Sequence, residues 1–201
     1  MYATDSLMDD NLILPIARPT RADALKNREL LLETAGRLFA ERGVGAVSMS
    51  AVAQAAGVGK GTLYRHFPNK TELCQVLIDS EQRDLQNRTL ERLRQQPDDP
   101  LGNLRWFLGQ VVYFVDRHLE LLFSGVISAP LMLDHPAHIW WRQTIRGLLA
   151  ALRPSLDLDY AADMLYVMLD ARTIYYQRTA HHYDAERIIA GLHDIVDHLV
   201  S

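Results

Sequence analysis

The sequence predicts an all-α fold with about nine helices, divided into an N-terminal three-helix domain and a larger C-terminal helical domain. Apolar residues recur at helical spacing along most of the 201 residues, and no segment shows the strict alternation typical of a β-strand. Proline and glycine clusters separate these stretches, and the clearest of them is Gln-Pro-Asp-Asp-Pro at 96–100. Helices, rather than strands, are therefore predicted between the interruptions.

The chain divides into three segments in order. Residues 1–24 are predicted to form a disordered tail, because the segment is acidic and lacks the basic start and small-residue cleavage site of an export signal. Residues 25–72 are predicted to form the small domain, which opens with a helix that ends at Gly43. Residues 73–201 make up the larger helical domain.

A helix-turn-helix is predicted within 48–67. Ser48 can cap the first of its two helices through its hydroxyl. Gly57 follows that helix at the position where a left-handed residue is expected. In the second helix Leu63 and Phe67 lie four residues apart and face inward. The basic and hydroxyl side chains of this helix are then free to project outward. Basic and hydroxyl groups on a short helical pair are typical of DNA binding.

The motif A-x-x-A-G-V-x-x-G-T-L-Y-x-H-F-x-N-K at 53–70 resembles the tetracycline-repressor (TetR) family of transcriptional regulators. The specific resemblance covers about residues 26–85. It implies that the second helix of the pair is a recognition helix that lies in the major groove of double-stranded DNA. One departure is Gly59, where many members of the family carry a serine or threonine cap, so this helix is expected to fray more when free.

The resemblance implies a role for each residue of this surface. Lys60 would donate to a guanine edge, Gly61 would allow close backbone approach, and Thr62 would contact a base or a phosphate. Arg65 is the variable position, able to contact a base or only a phosphate. The remaining residues implied to contact the DNA backbone, or in the case of the serines one base, are Ser48, Ser50, Tyr64, His66 and Lys70.

The C-terminal domain is predicted to consist of helices alone. Asn69 and Glu72 form an N-x-x-E start for a long helix that runs to about residue 95. The apolar spacing then predicts five further helical segments, over 101–119, 121–133, 136–153, 157–180 and 184–200.

The last two helices are predicted to form a homodimer interface. Both carry apolar residues over most of their circumference, so one side can face the protein's own core and the other a partner chain. The resemblance implies a four-helix interface between two copies, and two-fold symmetry then implies a palindromic operator. The residues assigned to this interface are Leu165, Arg172, Ile188, Leu192, Ile195 and Leu199.

Aromatic side chains concentrate in the C-terminal domain, where they either fill the core or line a pocket for a small molecule. The resemblance implies a lipophilic or aromatic effector that releases the repressor from DNA, but the sequence does not identify the pocket residues. A DNA-binding factor that is constitutive or controlled by a protein partner is the alternative. A helical enzyme is a remote one, because no G-x-S-x-G, phosphate-binding glycine loop or H-E-x-x-H is present.

Charge, cysteine and histidine content agree with a cytoplasmic DNA-binding protein that needs no cofactor or metal. The net charge is −4, but residues 18–72 hold nine Lys/Arg against five Asp/Glu, so a basic N-terminal region precedes an acidic remainder. The single cysteine, Cys74, is expected to be a core thiol, with a redox sensor as the alternative. The paired histidines lack further ligands of a zinc site, and no apolar run is long enough to span a membrane.

Overall fold

The computed structural model describes residues 21–123 and 136–201. Within these residues the chain is folded into nine α-helices with no strand, which confirms the predicted fold class. The helices are α1 (Arg21–Arg42), α2 (Met49–Ala55), α3 (Lys60–His66), α4 (Lys70–Gln95), α5 (Pro100–Phe123), α6 (Pro136–Leu152), α7 (Leu158–Met168), α8 (Ala171–Ala180) and α9 (Ala185–Val200).

The N-terminal domain has its own apolar core, which α1, α2, α3 and the first turns of α4 enclose. Leu31 and Ala35 of α1, Leu63 of α3 and Leu73 of α4 are each completely buried. One further residue of this core, Leu121, comes from the end of α5 in the other domain. The two domains are therefore joined through α5 as well as through the continuous helix α4.

The C-terminal domain is organised around α5. This helix packs against α4, α6, α8 and α9, and α6 packs in turn against α7. A single apolar core fills the space between them, with completely buried residues such as Leu104, Val111, Ile145 and Leu149. None of the described helices has the length and hydrophobicity needed to cross a membrane.

The first helix begins earlier than predicted. The sequence predicts a tail over residues 1–24, but α1 already begins at Arg21, so residues 21–24 are helical and the predicted boundary is wrong by four residues. The segment Arg-Ala-Asp-Ala contains no helix breaker and places an acidic residue in the first turn, and both features favour a helix. Residues 1–20 lie outside the described part of the chain.

The predicted helix over 157–180 is two helices, α7 and α8, so that prediction is also wrong. The backbone of Asp170 is extended, at φ −60° and ψ 138°, and its carboxylate accepts the backbone N–H of Arg172 at 2.8 Å. An aspartate that bonds to the local backbone competes with helix continuation and favours an N-cap. The predicted 121–133 segment lies in α5 as far as Phe123, and the rest of it is outside the described residues.

Half of the residues predicted for the dimer interface are packed inside the chain's own core. Leu165, Ile188 and Leu192 are at most 4% exposed and belong to the C-terminal core. A partner chain has almost no surface of these side chains to contact. Of the other three, Arg172 and Ile195 are exposed and Leu199 is half-buried.

Candidate DNA-binding surface

The first helix of the pair, α2, begins as the sequence predicts. Ser48 has an extended backbone, and its Oγ accepts the backbone N–H of Ala51 at 3.1 Å. Val52 and Ala53 are 1% exposed and face the core. Because the serine hydroxyl accepts this bond through a lone pair, its own proton stays available to a DNA phosphate.

The turn between α2 and α3 depends on Gly57. Its φ is +66°, in the left-handed region that glycine enters without a Cβ penalty. The next residue, Val58, donates its N–H to the carbonyl of Ala53 at 3.0 Å, which closes the turn over the end of α2. Gly59 then caps α3 with an extended backbone but without a side-chain hydrogen bond.

The second helix of the pair, α3, is fixed from its inner side. Leu63 is completely buried and Phe67 is 1% exposed, and the guanidinium of Arg28 from α1 lies 5.5 Å from the centre of the Phe67 ring. These contacts anchor a helix of seven residues that would be marginal in isolation.

The outer side of α3 presents four of the predicted DNA-binding residues. Lys60, Gly61, Tyr64 and Arg65 are exposed, and they form two pairs at i, i+4 spacing that lie side by side on the helix. The side chain of Tyr64 is 47% exposed despite its large apolar ring. This strip can offer two cations and one phenolic hydroxyl to a nucleic acid.

Three of the other predicted contact residues are less exposed than this strip. Ser50, Thr62 and His66 are half-buried, and the His66 ring is tilted against Phe67 with ring centroids 6.2 Å apart. Less of each side chain is therefore available to a ligand than on the strip itself.

Lys70, at the start of α4, already has partners within the protein. Its Nζ donates to the carbonyl of Val44 and lies 6.0 Å from the centre of the Phe39 ring. The helix that it begins is capped by Asn69, whose Oδ1 accepts the backbone N–H of Glu72 at 2.8 Å. A lysine ammonium has three donors, so two remain for a phosphate.

The C-terminal domain contacts the loop that precedes α2 through a residue that the sequence did not single out. Glu120, near the end of α5, accepts the backbone N–H of Gly45 at 3.2 Å. Gly45 lies in the short loop between α1 and α2. No sequence pattern indicates this contact, because its two residues are 75 positions apart and lie in different domains.

An ionic cluster joins α4 and α5 close to the N-terminal domain. His118 is 5% exposed, and its Nε2 lies 3.0 Å from Oε2 of Glu81; Nη1 of Arg117 lies 3.3 Å from the same oxygen. Burial alone would raise the pKa of Glu81, but the hydrogen bonds and charges of His118 and Arg117 outweigh it and lower that pKa. Glu81 is therefore an ionised link between the two helices.

Two features of the C-terminal domain bear on ligand binding. A cleft of about 830 Å³ opens between α4 and α5, and charged and polar side chains such as Glu81, Asp84, Arg88 and Arg117 line much of it. Separately, an aromatic cluster lies in the core, where the Tyr166 hydroxyl and Nδ1 of His138 are 2.8 Å apart. Of the aromatic residues noted in the sequence, Phe107, Trp141 and Tyr166 are buried, which agrees with a role in the core.

The remaining candidate residues carry structural roles. Cys74 is completely buried, and burial raises its pKa to about 11 although the charge of Lys70 acts in the opposite direction. His193 and His198 bond to backbone carbonyls, of Arg105 and Asp194 respectively. Among the described residues there is no group of three or more His, Cys, Asp or Glu side chains that could hold a metal ion.

The N-terminal domain matches known regulators in sequence. Residues 31–77 match the family model described as bacterial regulatory proteins, tetR family. An HTH-type transcriptional regulator of Staphylococcus aureus (strain bovine RF122 / ET3-1) is 46% identical over 79 residues, which cover 39% of this chain and 40% of that protein. The regulator AcrR of Shigella flexneri is 35% identical over 97 residues, 48% of this chain and 45% of the relative. The chain thus aligns with less than half the length of these two relatives.

Similarity to solved structures extends over most of the chain. A TetR-family transcriptional regulator from Pectobacterium atrosepticum is 20% identical with a TM-score of 0.66, covering 90% of this chain and 95% of that one. NalD, the secondary repressor of the MexAB-OprM multidrug efflux pump in Pseudomonas aeruginosa, is 24% identical with a TM-score of 0.56, covering 85% and 94%. A γ-butyrolactone receptor is 22% identical with a TM-score of 0.53, covering 85% and 98%. At these identities the likeness establishes the fold of both domains.

Proposed function

We propose that this chain, which carries the DNA-binding domain of the TetR family, is a homodimeric transcriptional repressor that binds a palindromic operator and is released by a small-molecule effector. The relatives matched in sequence are transcriptional regulators, not enzymes, and this disfavours the remote enzyme alternative. Residues 31–77 carry the family assignment, while the repressor activity, the dimer and the effector are inferences.

The observation that carries the proposal is the geometry of α3. Buried Leu63 and Phe67 fix the helix from within, while Lys60, Tyr64 and Arg65 are exposed on its outer side. An α-helix fits the major groove of B-DNA, and lysine and arginine are the common donors to guanine edges and phosphates. We assign base contacts to Lys60, Gly61, Thr62 and Arg65, and backbone contacts to the other predicted residues.

We place the dimer interface on exposed apolar residues of α7 and α9. On α7, Tyr160, Met164 and Val167 are 66%, 42% and 52% exposed and share one face through i, i+4, i+7 spacing. On α9, Ile195 is 43% exposed. Exposed apolar side chains that cluster on one surface are typical of a protein–protein contact. A second copy of this chain is the occupant that gives two DNA-binding domains, and the predicted residues Arg172 and Leu199 remain assigned to this surface.

An effector site in the C-terminal domain is supported by the fold, because that domain is shared with proteins named as a repressor and as a γ-butyrolactone receptor. A small molecule bound in the aromatic core or in the α4–α5 cleft would displace α4 or α5. Both helices contact the DNA-binding domain. The alternative is a factor that lacks an effector and is constitutive or controlled by a protein partner.

The DNA-binding assignment is tested by selecting duplexes from a random-sequence library with the purified protein. Lys60→Ala is expected to cost about 1–3 kcal/mol of binding free energy and to relax preference at one base position. Tyr64→Phe is expected to weaken binding to all sequences alike. Arg94→Ala and Tyr183→Phe are matched controls at exposed positions far along the chain from α3 and outside the proposed interface. An unchanged affinity and base preference in Lys60→Ala would contradict the recognition-helix assignment.

The effector is tested with the selected duplex already bound. Lipophilic compounds are screened for a rise in the melting temperature of the free protein, and each hit is added to the protein–DNA complex. We expect a hit to stabilise the protein and to weaken DNA binding, because a ligand shifts an equilibrium only through its differential affinity for two states. The alternative without an effector predicts DNA binding with no compound that releases it.

A further inference from the structure

The short loop between α1 and α2 is tied to both helices that lead into the C-terminal domain. From α4, Lys70 Nζ donates to the carbonyl of Val44. From α5, a carboxylate oxygen of Glu120 accepts the N–H of the next residue, Gly45, at 3.2 Å. The loop leads directly into α2, so its position sets where the helix-turn-helix begins.

Glu120 fits the loop in a second way. Gly43 has φ +77°, and a Cβ at this position would lie 3.0 Å from both carboxylate oxygens of Glu120. That distance is shorter than ordinary van der Waals contact. A side chain at position 43 would therefore require the carboxylate to shift by a few tenths of an ångström. The positive φ of Gly43 favours glycine independently of this contact.

The helix that carries Glu120 belongs to both cores. Val111 lies in the core of the C-terminal domain, whereas Leu121, ten residues further on, is 2% exposed in the core of the N-terminal domain. Between the domains there is a cavity of about 50 Å³, and part of its wall is polar, including Arg117, His118 and Glu120. Apolar packing is therefore incomplete at this junction, and polar contacts such as the hydrogen bond of Glu120 also hold the two domains together.

We propose that Glu120 is a positioning residue for DNA binding: its carboxylate holds the α1–α2 loop, so that a displacement of α5 is transmitted to α2 and α3. The proposal rests on the proposed DNA-binding function. In this proposal a contact made by α5 transmits the displacement to the N-terminal domain, in addition to α4, which runs continuously from one domain into the other. Glu120 itself is separated from the recognition strip by the loop and is not expected to contact DNA.

The experiment compares Glu120→Ala and Glu120→Gln in the full chain. Amide hydrogen exchange at Gly45 is measured by NMR, and affinity is measured for a duplex that the wild-type protein selects from a random library. Because a hydrogen bond to a charged group is lost at an exposed site, we expect Glu120→Ala to raise the exchange rate about tenfold and to weaken DNA binding about 5- to 10-fold. Glu120→Gln retains an acceptor oxygen and is expected to recover most of both effects.

Charge provides an internal control for this comparison. Removing a negative charge strengthens binding to DNA through electrostatics alone, so the expected loss in Glu120→Ala has the opposite sign. Glu33→Ala, at an exposed position on α1, makes the same change in net charge and is expected to show no loss.

Three results overturn the proposal: unchanged exchange in Glu120→Ala, faster exchange without weaker binding, or a Glu120→Gln variant as impaired as Glu120→Ala. If the wild-type protein selects no duplex, the proposed function fails instead, and the exchange rates alone then decide whether Glu120 holds the loop.

A double variant tests the contact with Gly43 independently of DNA. Gly43→Ala is strained by its backbone and by the carboxylate, whereas in the Glu120→Ala background only the backbone strain remains. We expect Gly43→Ala to lower the melting temperature by at least about 2 °C more in the wild-type background than in the Glu120→Ala background. Equal losses in the two backgrounds would show that the carboxylate does not press on this position.

Discussion

The proposed dimer surface is tested by introducing an aspartate at a buried and at an exposed position of the last helices. Leu192 is 4% exposed in the C-terminal core, whereas Val167 is 52% exposed on α7. The sequence assigns Leu192 to the dimer interface and does not single out Val167. The structure separates them, because one side chain is used by the protomer itself and the other is open to a partner.

The two substitutions have different costs for the protomer. Leu192→Asp loses about 1.5–3 kcal/mol of side-chain burial and leaves an unpaired charge in the core at a cost of about 3–5 kcal/mol. Together these approach the whole stability of a typical domain, about 5–15 kcal/mol. Val167→Asp changes an exposed side chain and is expected to alter protomer stability by no more than about 0.5 kcal/mol.

In a two-fold dimer each interface residue is counted twice. If Val167 is buried by the partner, a cost of about 1.5 kcal/mol for each copy raises the dimer dissociation constant about 100-fold. Sedimentation equilibrium measures this constant, and thermal unfolding followed by circular dichroism measures the fold. We expect Val167→Asp to be folded, with the dissociation constant raised by this factor, and Leu192→Asp to be unfolded or strongly destabilised. A Val167→Asp variant with an unchanged dissociation constant refutes the α7 interface, and a Leu192→Asp variant with a wild-type melting temperature refutes the core assignment.

Three further predictions concern the turn, the thiol and the ionic cluster. Gly59 has negative φ, and a Cβ added there would meet nothing within 4 Å, so Gly59→Ser should raise the free energy of unfolding by a few tenths of a kcal/mol by capping α3. Gly57 has φ +66°, so Gly57→Ser should lower the free energy of unfolding by about 1–2 kcal/mol. Urea unfolding measures both changes. The native protein should not react with a thiol reagent at pH 8, because burial raises the pKa of Cys74 to about 11 and leaves about one thousandth of it as thiolate; rapid labelling would contradict this. Glu81→Gln should be less stable than the wild type at pH 7, and because the folded-state pKa of Glu81 is lowered, the difference should shrink as the pH falls below the ordinary value of about 4.5.

The N-terminal domain was predictable because its signals are local. The cap at Ser48, the left-handed glycine at Gly57 and the cap at Asn69 are each formed by residues within a few positions of one another. Each signal can therefore be recognised from neighbouring residues of the sequence, without knowledge of the tertiary structure. The positions of Lys60 and Tyr64 on the outer side of α3 follow directly from the inward position of Leu63.

The C-terminal domain was less predictable because its decisive contacts are distant. An apolar stripe looks the same whether it faces the protein's own core or a partner, so the sequence assigns Ile188 and Leu192 to the interface rather than to the core. Asp170 fits the polar side of a continuous helix as well as it fits a cap, and the break between α7 and α8 is missed for that reason. Glu120 carries no signal, since only the folded chain brings it to Gly45.

Two of the predicted DNA contacts also stabilise the fold, and this decides which variants report cleanly on DNA binding. Ser48 caps α2, and Lys70 holds the carbonyl of Val44 in the loop that precedes it. Loss of DNA binding in Ser48→Ala or Lys70→Ala would therefore combine a lost phosphate contact with a displaced helix-turn-helix. Lys60 and Tyr64 are exposed, and the structure shows no hydrogen bond from either side chain to the rest of the described chain. A loss of DNA affinity in Lys60→Ala or Tyr64→Phe therefore measures the DNA contact alone. If Lys70→Ala loses more affinity than Tyr64→Phe, which removes one predicted phosphate contact, the difference measures how far DNA binding depends on the position of the loop.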